Sequence, residues 1–155
     1  MRILQDRWKG VRGLPHVQLA NLPTPVLPLR GMSEQLGAEI WCKREELCAE
    51  RYGGNKLRKL EYLLGDAMRR GCDTVLTWGR VGSHHVLATT VHARALGIAT
   101  HAYLCPQRRS LHVEEGLRAT IAAGAQLGVL RRPEERGIRL AAAKGVLTFL
   151  PRKVS

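Results

Sequence analysis

The sequence has no hydrophobic run long enough to cross a bilayer. Its longest nearly apolar stretch, residues 121–130, is short and is interrupted by Gln126. The first residues, Met-Arg-Ile-Leu-Gln-Asp-Arg-Trp, place no apolar segment behind their charges, so no signal peptide is visible. These absences predict a cytoplasmic protein that has no membrane partner.

The sequence also lacks the cysteine patterns of disulfide frameworks and zinc sites. Its four cysteines contain no Cys-x-x-Cys pair and no zinc-like spacing. A reduced protein is therefore the simpler interpretation.

Acidic and aromatic residues are scarce. Lys and Arg number 25 against 13 Asp and Glu, for a net charge of +12, and aromatic residues make up 5%. The excess positive charge lies mainly in residues 1–30 and 131–155, and no aromatic residue interleaves the basic residues at the C-terminal end. Because nucleic-acid-binding surfaces usually combine a basic face with aromatic residues, we expect no nucleic-acid partner. A basic nucleic-acid-binding module remains the less favoured alternative.

An alternation of strands and helices is what the sequence does contain. The apolar pattern predicts strands at 39–43, 73–78, 98–104, 126–130 and 146–150, and helices at 54–70, 83–96, 110–123 and 133–144. This order predicts an α/β fold with a parallel sheet flanked by helices in a three-layer αβα arrangement. Trp41 and Trp78 fall on strands and are predicted to be core residues. Residues 1–30, which hold four prolines, are predicted to form an extended arm.

The stretch 52–61, Tyr-Gly-Gly-Asn-Lys-Leu-Arg-Lys-Leu-Glu, could carry covalent chemistry. Two glycines permit a tight turn, Asn55 can cap the helix that follows, and Lys56 falls in the first helical turn. The nearby cations Arg58 and Lys59 favour the neutral amine of Lys56, which can attack an aldehyde to form a Schiff base. The residues alone leave a second interpretation open, in which Lys56 is a surface lysine at a basic helix start.

The stretch 76–85, Leu-Thr-Trp-Gly-Arg-Val-Gly-Ser-His-His, follows a strand and opens a helix. Backbone N–H groups and the helix dipole at such a place can bind a carboxylate or phosphate. The spacing matches neither a dinucleotide fingerprint nor a Walker A loop. Ser83 is either a simple N-cap or a proton-transfer or nucleophilic group beside a bound carboxylate.

Three histidines, at positions 84, 85 and 92, lie on the same predicted helix. No Cys or acidic residue falls at helical spacing beside them to complete a tetrahedral zinc site. We therefore expect no metal site there, and expect polar core contacts or cofactor contacts instead.

Four segments, in this order, resemble the fold type II enzymes that depend on pyridoxal phosphate. They are 22–29 (Leu-Pro-Thr-Pro-Val-Leu-Pro-Leu), 40–47 (Ile-Trp-Cys-Lys-Arg-Glu-Glu-Leu), 53–61 (Gly-Gly-Asn-Lys-Leu-Arg-Lys-Leu-Glu) and 73–77 (Asp-Thr-Val-Leu-Thr). The resemblance is greatest to the branch that contains 1-aminocyclopropane-1-carboxylate deaminase and D-cysteine desulfhydrase. It covers about residues 15–151.

The resemblance implies a cofactor and a set of site residues. Lys56 would hold pyridoxal 5'-phosphate through a Schiff base, and Asn55 and His84 would contact the cofactor. Ser83 would act in catalysis and, with His84 and His85, would bind the substrate. The family usually has Ser-Asn-His where this chain has Ser83-His84-His85. The implied reaction converts a small amino acid into a 2-oxo acid and ammonia, by deamination or α,β-elimination.

The resemblance also implies a division of the chain. Residues 1–52 would form an extended arm and first strand of the large domain, 53–150 a small α/β domain with the cofactor lysine, and 151–155 the start of a truncated remainder. Family enzymes are longer and carry their phosphate-binding loop beyond this point, so we expect an N-terminal piece of an enzyme. A homodimer is also implied. The alternative is a non-catalytic, truncated α/β domain that binds a small carboxylate or nothing.

Overall fold

The computed structural model describes residue 7, residues 9–130 and, for the backbone alone, residues 147–151. The strands are β1 (Val26–Pro28), β2 (Trp41–Lys43), β3 (Cys72–Arg80), β4 (Ala99–Cys105), β5 (Gln126–Val129) and β6 (Leu147–Pro151). The α-helices are α1 (Arg30–Leu36), α2 (Leu57–Arg69), α3 (His84–Ala95) and α4 (Leu111–Ala122). Short 3-10 helices occupy Lys9–Val11 and Glu45–Cys48.

A four-stranded sheet with the order β5-β4-β3-β6 organises most of the described chain. Strand β4 lies between β3 and β5 and is parallel to both, which confirms the predicted α/β class. Strand β6 instead pairs antiparallel with β3, which differs from the parallel arrangement that we expected. Apolar alternation does not encode strand direction, and an antiparallel edge strand on a parallel sheet is common. The predicted helix at 133–144 lies outside the described residues.

One face of this sheet packs against helices. Val75 of β3 joins Leu60 and Leu64 of α2 in the main core cluster, whereas Ala102 of β4 packs in a second cluster with Val86 of α3. Burial alternates along β3 and β4, because successive residues of a strand point to opposite faces and the helices cover one of them. This packing fixes the start of α2 and the start of α3 relative to the same two strands.

The prediction that Trp41 and Trp78 are core residues was wrong. Their side chains are 55% and 41% exposed. Trp78 lies on the opposite face of β3 from the buried Val75 and Thr77, because it is offset from them by an odd number of residues. Trp41 belongs to a separate two-stranded antiparallel sheet, β1–β2, in which five of the six residues are exposed.

The N-terminal arm packs on α2 through a buried carboxylate. Glu61 is 5% exposed, and its Oε1 accepts hydrogen bonds from the backbone N–H groups of Leu19 (3.0 Å) and Ala20 (2.9 Å). Its Oε2 lies 3.4 Å from Nε2 of His16. The carboxylate thereby satisfies backbone donors that an extended segment leaves unpaired.

Candidate functional site

The turn that carries Lys56 is tightly constrained. Lys56 directly precedes α2, and Gly54 two residues earlier has a φ of +111°, a conformation that other residues rarely adopt. The N–H of Gly54 donates to the carbonyl of Glu45 over 2.8 Å. A Cβ on Gly53 would lie 2.0 Å from the carbonyl oxygen of Glu46, so no side chain fits there. Close backbone contact with the 3-10 helix Glu45–Cys48 therefore requires glycine at Gly53, and the positive φ favours glycine at Gly54.

Asn55 contacts the lysine rather than capping the helix. The amine of Lys56 donates to Oδ1 of Asn55 over 2.9 Å, and the start of α2 has no side-chain cap. The predicted cap was therefore wrong, because the first helical residue is Leu57 and Lys56 occupies the cap position itself.

Of the two cations expected to favour the neutral amine of Lys56, Arg58 is paired with a carboxylate and Lys59 is not. Arg58 forms a two-pronged ion pair with Glu45, with N–O distances of 2.7 and 3.0 Å, which neutralises its charge locally. The hydrogen bond from Arg58, supported by one from Thr24 (2.8 Å), lowers the pKa of the Glu45 carboxyl to about 2. Burial, and after it the charge of Lys56, lowers the pKa of Lys59. The charge of Lys56 therefore acts on the ammonium group of Lys59.

Ser83 is the N-cap of α3. Its Oγ accepts from the N–H of Val86 over 3.5 Å, as the N-cap interpretation predicts. Two backbone donors of the preceding loop are used within the protein: Val81 N–H donates to Cys105 (3.1 Å) and Ser83 N–H to Arg80 (3.0 Å). An anion at this helix start would therefore have fewer loop N–H groups available than the sequence suggested.

Tyr52 and two histidines connect the Lys56 turn to α3 and α4. The hydroxyl of Tyr52 is hydrogen-bonded to Nδ1 of His84, and Nε2 of His84 lies 3.2 Å from Nε2 of His112. The carbonyl of Tyr52 meets Nε2 of His92 at 2.9 Å, and His92 is buried. His92 is therefore a polar core residue, which is one of the two roles expected for these histidines.

Close backbone packing explains why His112 reaches His84. A Cβ on Gly82 would lie 3.0 Å from Cα of Val113, and a Cβ on Gly116 would lie 2.9 Å from Cα of Gly82. The first turns of α4 therefore pack directly on the loop that precedes α3. His112 lies in the first turn of α4, on the side of this contact.

The structure brings some of the predicted site residues together and leaves others apart. Asn55 contacts Lys56, whereas neither Ser83 nor His84 makes a hydrogen bond to Lys56 in the described ranges. His85 lies half-buried in the first turn of α3. Tyr52 and His112 were not predicted as site residues, because their contacts with His84 span 32 and 28 residues and no local spacing indicates them.

A family model described as pyridoxal-phosphate dependent enzyme matches residues 17–148. A protein of Pyrococcus abyssi, provisionally named 1-aminocyclopropane-1-carboxylate deaminase, is 46% identical over 84 residues, which are 54% of this chain and 26% of that protein. The D-cysteine desulfhydrase of Salmonella paratyphi B is 44% identical over 90 residues, which are 58% of this chain and 27% of that enzyme.

A solved structure extends the similarity to the fold. The crystal structure of an ACC deaminase homologue superposes with a TM-score of 0.74 at 31% identity, over 86% of this chain and 40% of the other. The chain thus spans well under half the length of the relatives that it matches.

In the described ranges, no helix is long and apolar enough to cross a membrane.

Proposed function

Because the chain belongs to the family of pyridoxal-phosphate-dependent enzymes, we propose that Lys56 is the residue whose amine binds the cofactor's aldehyde. The substrate is a small amino acid, and the reaction is a deamination or an α,β-elimination that yields a 2-oxo acid and ammonia. When bound, pyridoxal phosphate withdraws electrons from the carbon atoms of an amino acid. The chain's own residues must supply attachment, orientation and proton transfer.

The surroundings of Lys56 support this role. Lys43, by comparison, is bound to the carbonyl and hydroxyl of Thr24 and lies 3.6 Å from the carboxylate of Glu45. Lys56 meets one neutral amide oxygen and forms no ion pair within the described residues. Within the described residues, the Lys56 amine therefore has no ion pair to break before it attacks a carbonyl carbon. This contrast between the two lysines is the observation that carries the proposal.

Asn55 and Ser83 have complementary roles in this proposal. Oδ1 of Asn55 accepts a hydrogen bond from the Lys56 amine and so restrains its direction. Oγ of Ser83 accepts from the Val86 N–H, which leaves the hydroxyl hydrogen to be donated to a substrate atom. Ser83, at the positive end of α3, would bind the substrate carboxylate or transfer a proton. His85, in the same helical turn, would contact the substrate.

His84 fits less simply. Both of its ring nitrogens have protein partners, Tyr52 at Nδ1 and His112 at Nε2. A hydrogen bond from His84 to the cofactor, which the family resemblance implies, therefore requires one of these contacts to open. Asn, which the family usually has at this position, lacks a ring with two opposed nitrogen atoms and would not make both contacts.

Reductive trapping tests the role of Lys56. The full chain is mixed with pyridoxal phosphate, reduced with borohydride and mapped by mass spectrometry. We expect the label on Lys56 to exceed that on any other lysine by at least about tenfold, because an amine held in position beside the bound cofactor reacts preferentially. Lys9→Ala, in an exposed turn, is the matched control and keeps the label. Labelling spread evenly over the lysines, or unchanged in a folded Lys56→Ala variant, would overturn the proposal.

A further inference from the structure

We infer that the Nε2 atoms of His84 and His112 form a binding site for one divalent transition-metal ion of the zinc, nickel and cobalt class. The two histidines come from the first turns of α3 and α4, and both side chains are exposed. This inference does not rest on the proposed function, because Lys56 takes no part in it. A metal on Nε2 of His84 would exclude that nitrogen from the cofactor contact that the family resemblance implies.

The separation of the two nitrogen atoms is the first argument. Their distance of 3.2 Å falls within the range that two neighbouring nitrogen ligands of one metal ion have. With metal–nitrogen bonds of about 2.0–2.1 Å, that separation gives a nitrogen–metal–nitrogen angle of about 100°. This angle lies between the octahedral and tetrahedral values, so an ion can enter with little movement of either ring.

The ring orientation is the second argument. A ring centre lies about 1.1 Å behind its nitrogen, so a straight N–H to N hydrogen bond would place the two centres about 5.4 Å apart. The observed centres are 5.1 Å apart, with the ring planes tilted by 37°. The contact is therefore slightly bent, which brings the two nitrogen lone pairs closer to a common point beside the line that joins them.

Tyr52 supplies the third argument. Metal-binding histidines usually have their second ring nitrogen fixed by a hydrogen bond, which sets the tautomer and the ring direction. The Tyr52 hydroxyl occupies this position at Nδ1 of His84. When the phenol oxygen accepts the Nδ1–H, Nε2 keeps its lone pair for a metal.

The ligand set defines the kind of site. In the described ranges, no group of three or more His, Cys, Asp or Glu side chains is arranged to hold a metal. Water or a small carboxylate would complete the coordination, so the ion would exchange readily with solution. Two imidazoles favour zinc, nickel, cobalt or copper over magnesium and calcium, which prefer oxygen ligands.

Cobalt titration of the tag-free, chelator-treated full chain tests the inference. We expect one Co²⁺ ion per chain, visible in the cobalt d–d absorption, and displaced by Zn²⁺ but not by Mg²⁺. His84→Asn and His112→Asn should each weaken binding at least about tenfold, because each removes one of two protein ligands. Tyr52→Phe should weaken it by about tenfold through loss of the orienting hydrogen bond.

The control variant is His101→Asn on β4, which should bind Co²⁺ as the unmodified chain does. Circular dichroism establishes that each variant is folded. Equal affinity in the unmodified chain and in the folded His84→Asn variant would overturn the inference and leave a plain histidine–histidine hydrogen bond. A thiolate-to-cobalt charge-transfer band would place the ion on a cysteine and would equally overturn it.

Discussion

The two sheets of this chain are held in opposite ways. Around the four-stranded sheet, α2 buries six residues and α3 buries seven. Beside the two-stranded sheet, α1 buries none, and large apolar side chains of this region are exposed. These side chains are Val26, Leu27, Leu29, Met32, Leu36, Trp41 and Leu47. Burial of apolar surface therefore stabilises the first region, whereas the second gains little from it within the described chain.

Polar contacts hold the two-stranded region to the rest. Glu45 accepts hydrogen bonds from Thr24, just before β1, and from Arg58 in α2. The carbonyl of Pro25 accepts from the N–H of Arg44, which continues the pairing beyond β2. Similar secondary structure therefore has different origins in the two regions, so matched substitutions in them should have different effects.

The largest difference is expected for leucine truncation. Leu64→Ala should lower the free energy of unfolding by about 2–5 kcal/mol, because Leu64 is fully buried and its loss leaves a cavity. Leu36→Ala in α1 should change it by less than about 0.5 kcal/mol, because that side chain is 65% exposed. Urea unfolding followed by circular dichroism measures both. Equal losses would contradict the exposure of Leu36 in α1.

A glycine pair should give changes of opposite sign. Gly65→Ala in α2 would place a Cβ 2.8 Å from the backbone of His16 and should cost about 1–3 kcal/mol of unfolding free energy. Gly31→Ala in α1 meets no atom within 4 Å and should raise stability by up to about 1 kcal/mol, since alanine favours a helix. The same urea measurement decides. A stabilising Gly65→Ala would mean that the arm does not pack on α2 as described.

The smallest effect is expected at the junction between the regions. Glu45→Gln should lower the unfolding free energy by about 1 kcal/mol at neutral pH, because it weakens a charge-assisted pair that is partly open to solvent. Glu46→Gln is the matched control, since Glu46 pairs with Arg44 at the surface, and it should leave stability unchanged.

The same variant has a defined pH dependence. The folded-state pKa of Glu45, about 2, lies below the ordinary value of 4.5, so its contribution is fully present above about pH 4.5. The contribution is lost as the pH falls from 4.5 towards 2. The stability difference between the unmodified chain and Glu45→Gln should therefore shrink over this interval. A difference that stayed constant down to pH 3 would contradict the Glu45–Arg58 pairing.

The sequence predicted the packed region better than the exposed one. The apolar spacing of Leu60, Leu64 and Ala67 predicted α2, and Ser83 was correctly placed at the start of α3. Helix α1 was missed because it packs no apolar stripe that a period of 3.6 residues could reveal. Periodicity reports burial, so it fails where a helix is not buried.

The candidate site was predictable in its local parts alone. The places of Lys56 and Ser83 beside helix starts follow from local patterns, whereas the contact of Asn55 with Lys56 does not, since a helix cap was expected at Asn55. The contacts of His84 with Tyr52 and His112 depend on how α3 and α4 cross the sheet and on the close approach of Gly82 and Gly116. Such contacts between distant residues are set by tertiary packing, which the spacing of one segment does not contain.

The antiparallel strand β6 has a consequence for the order of folding. Strands β3, β4 and β5 are joined by single helical crossovers, so each pairing closes a short loop. Cys72 instead pairs with Pro151, and these two are the first and the last residues of that sheet along the chain. Because closing a longer loop costs more chain entropy, we expect the parallel strands to assemble first and β6 to dock late. One edge of β3 would then be open for a time during synthesis, when its unpaired backbone groups could pair with another strand.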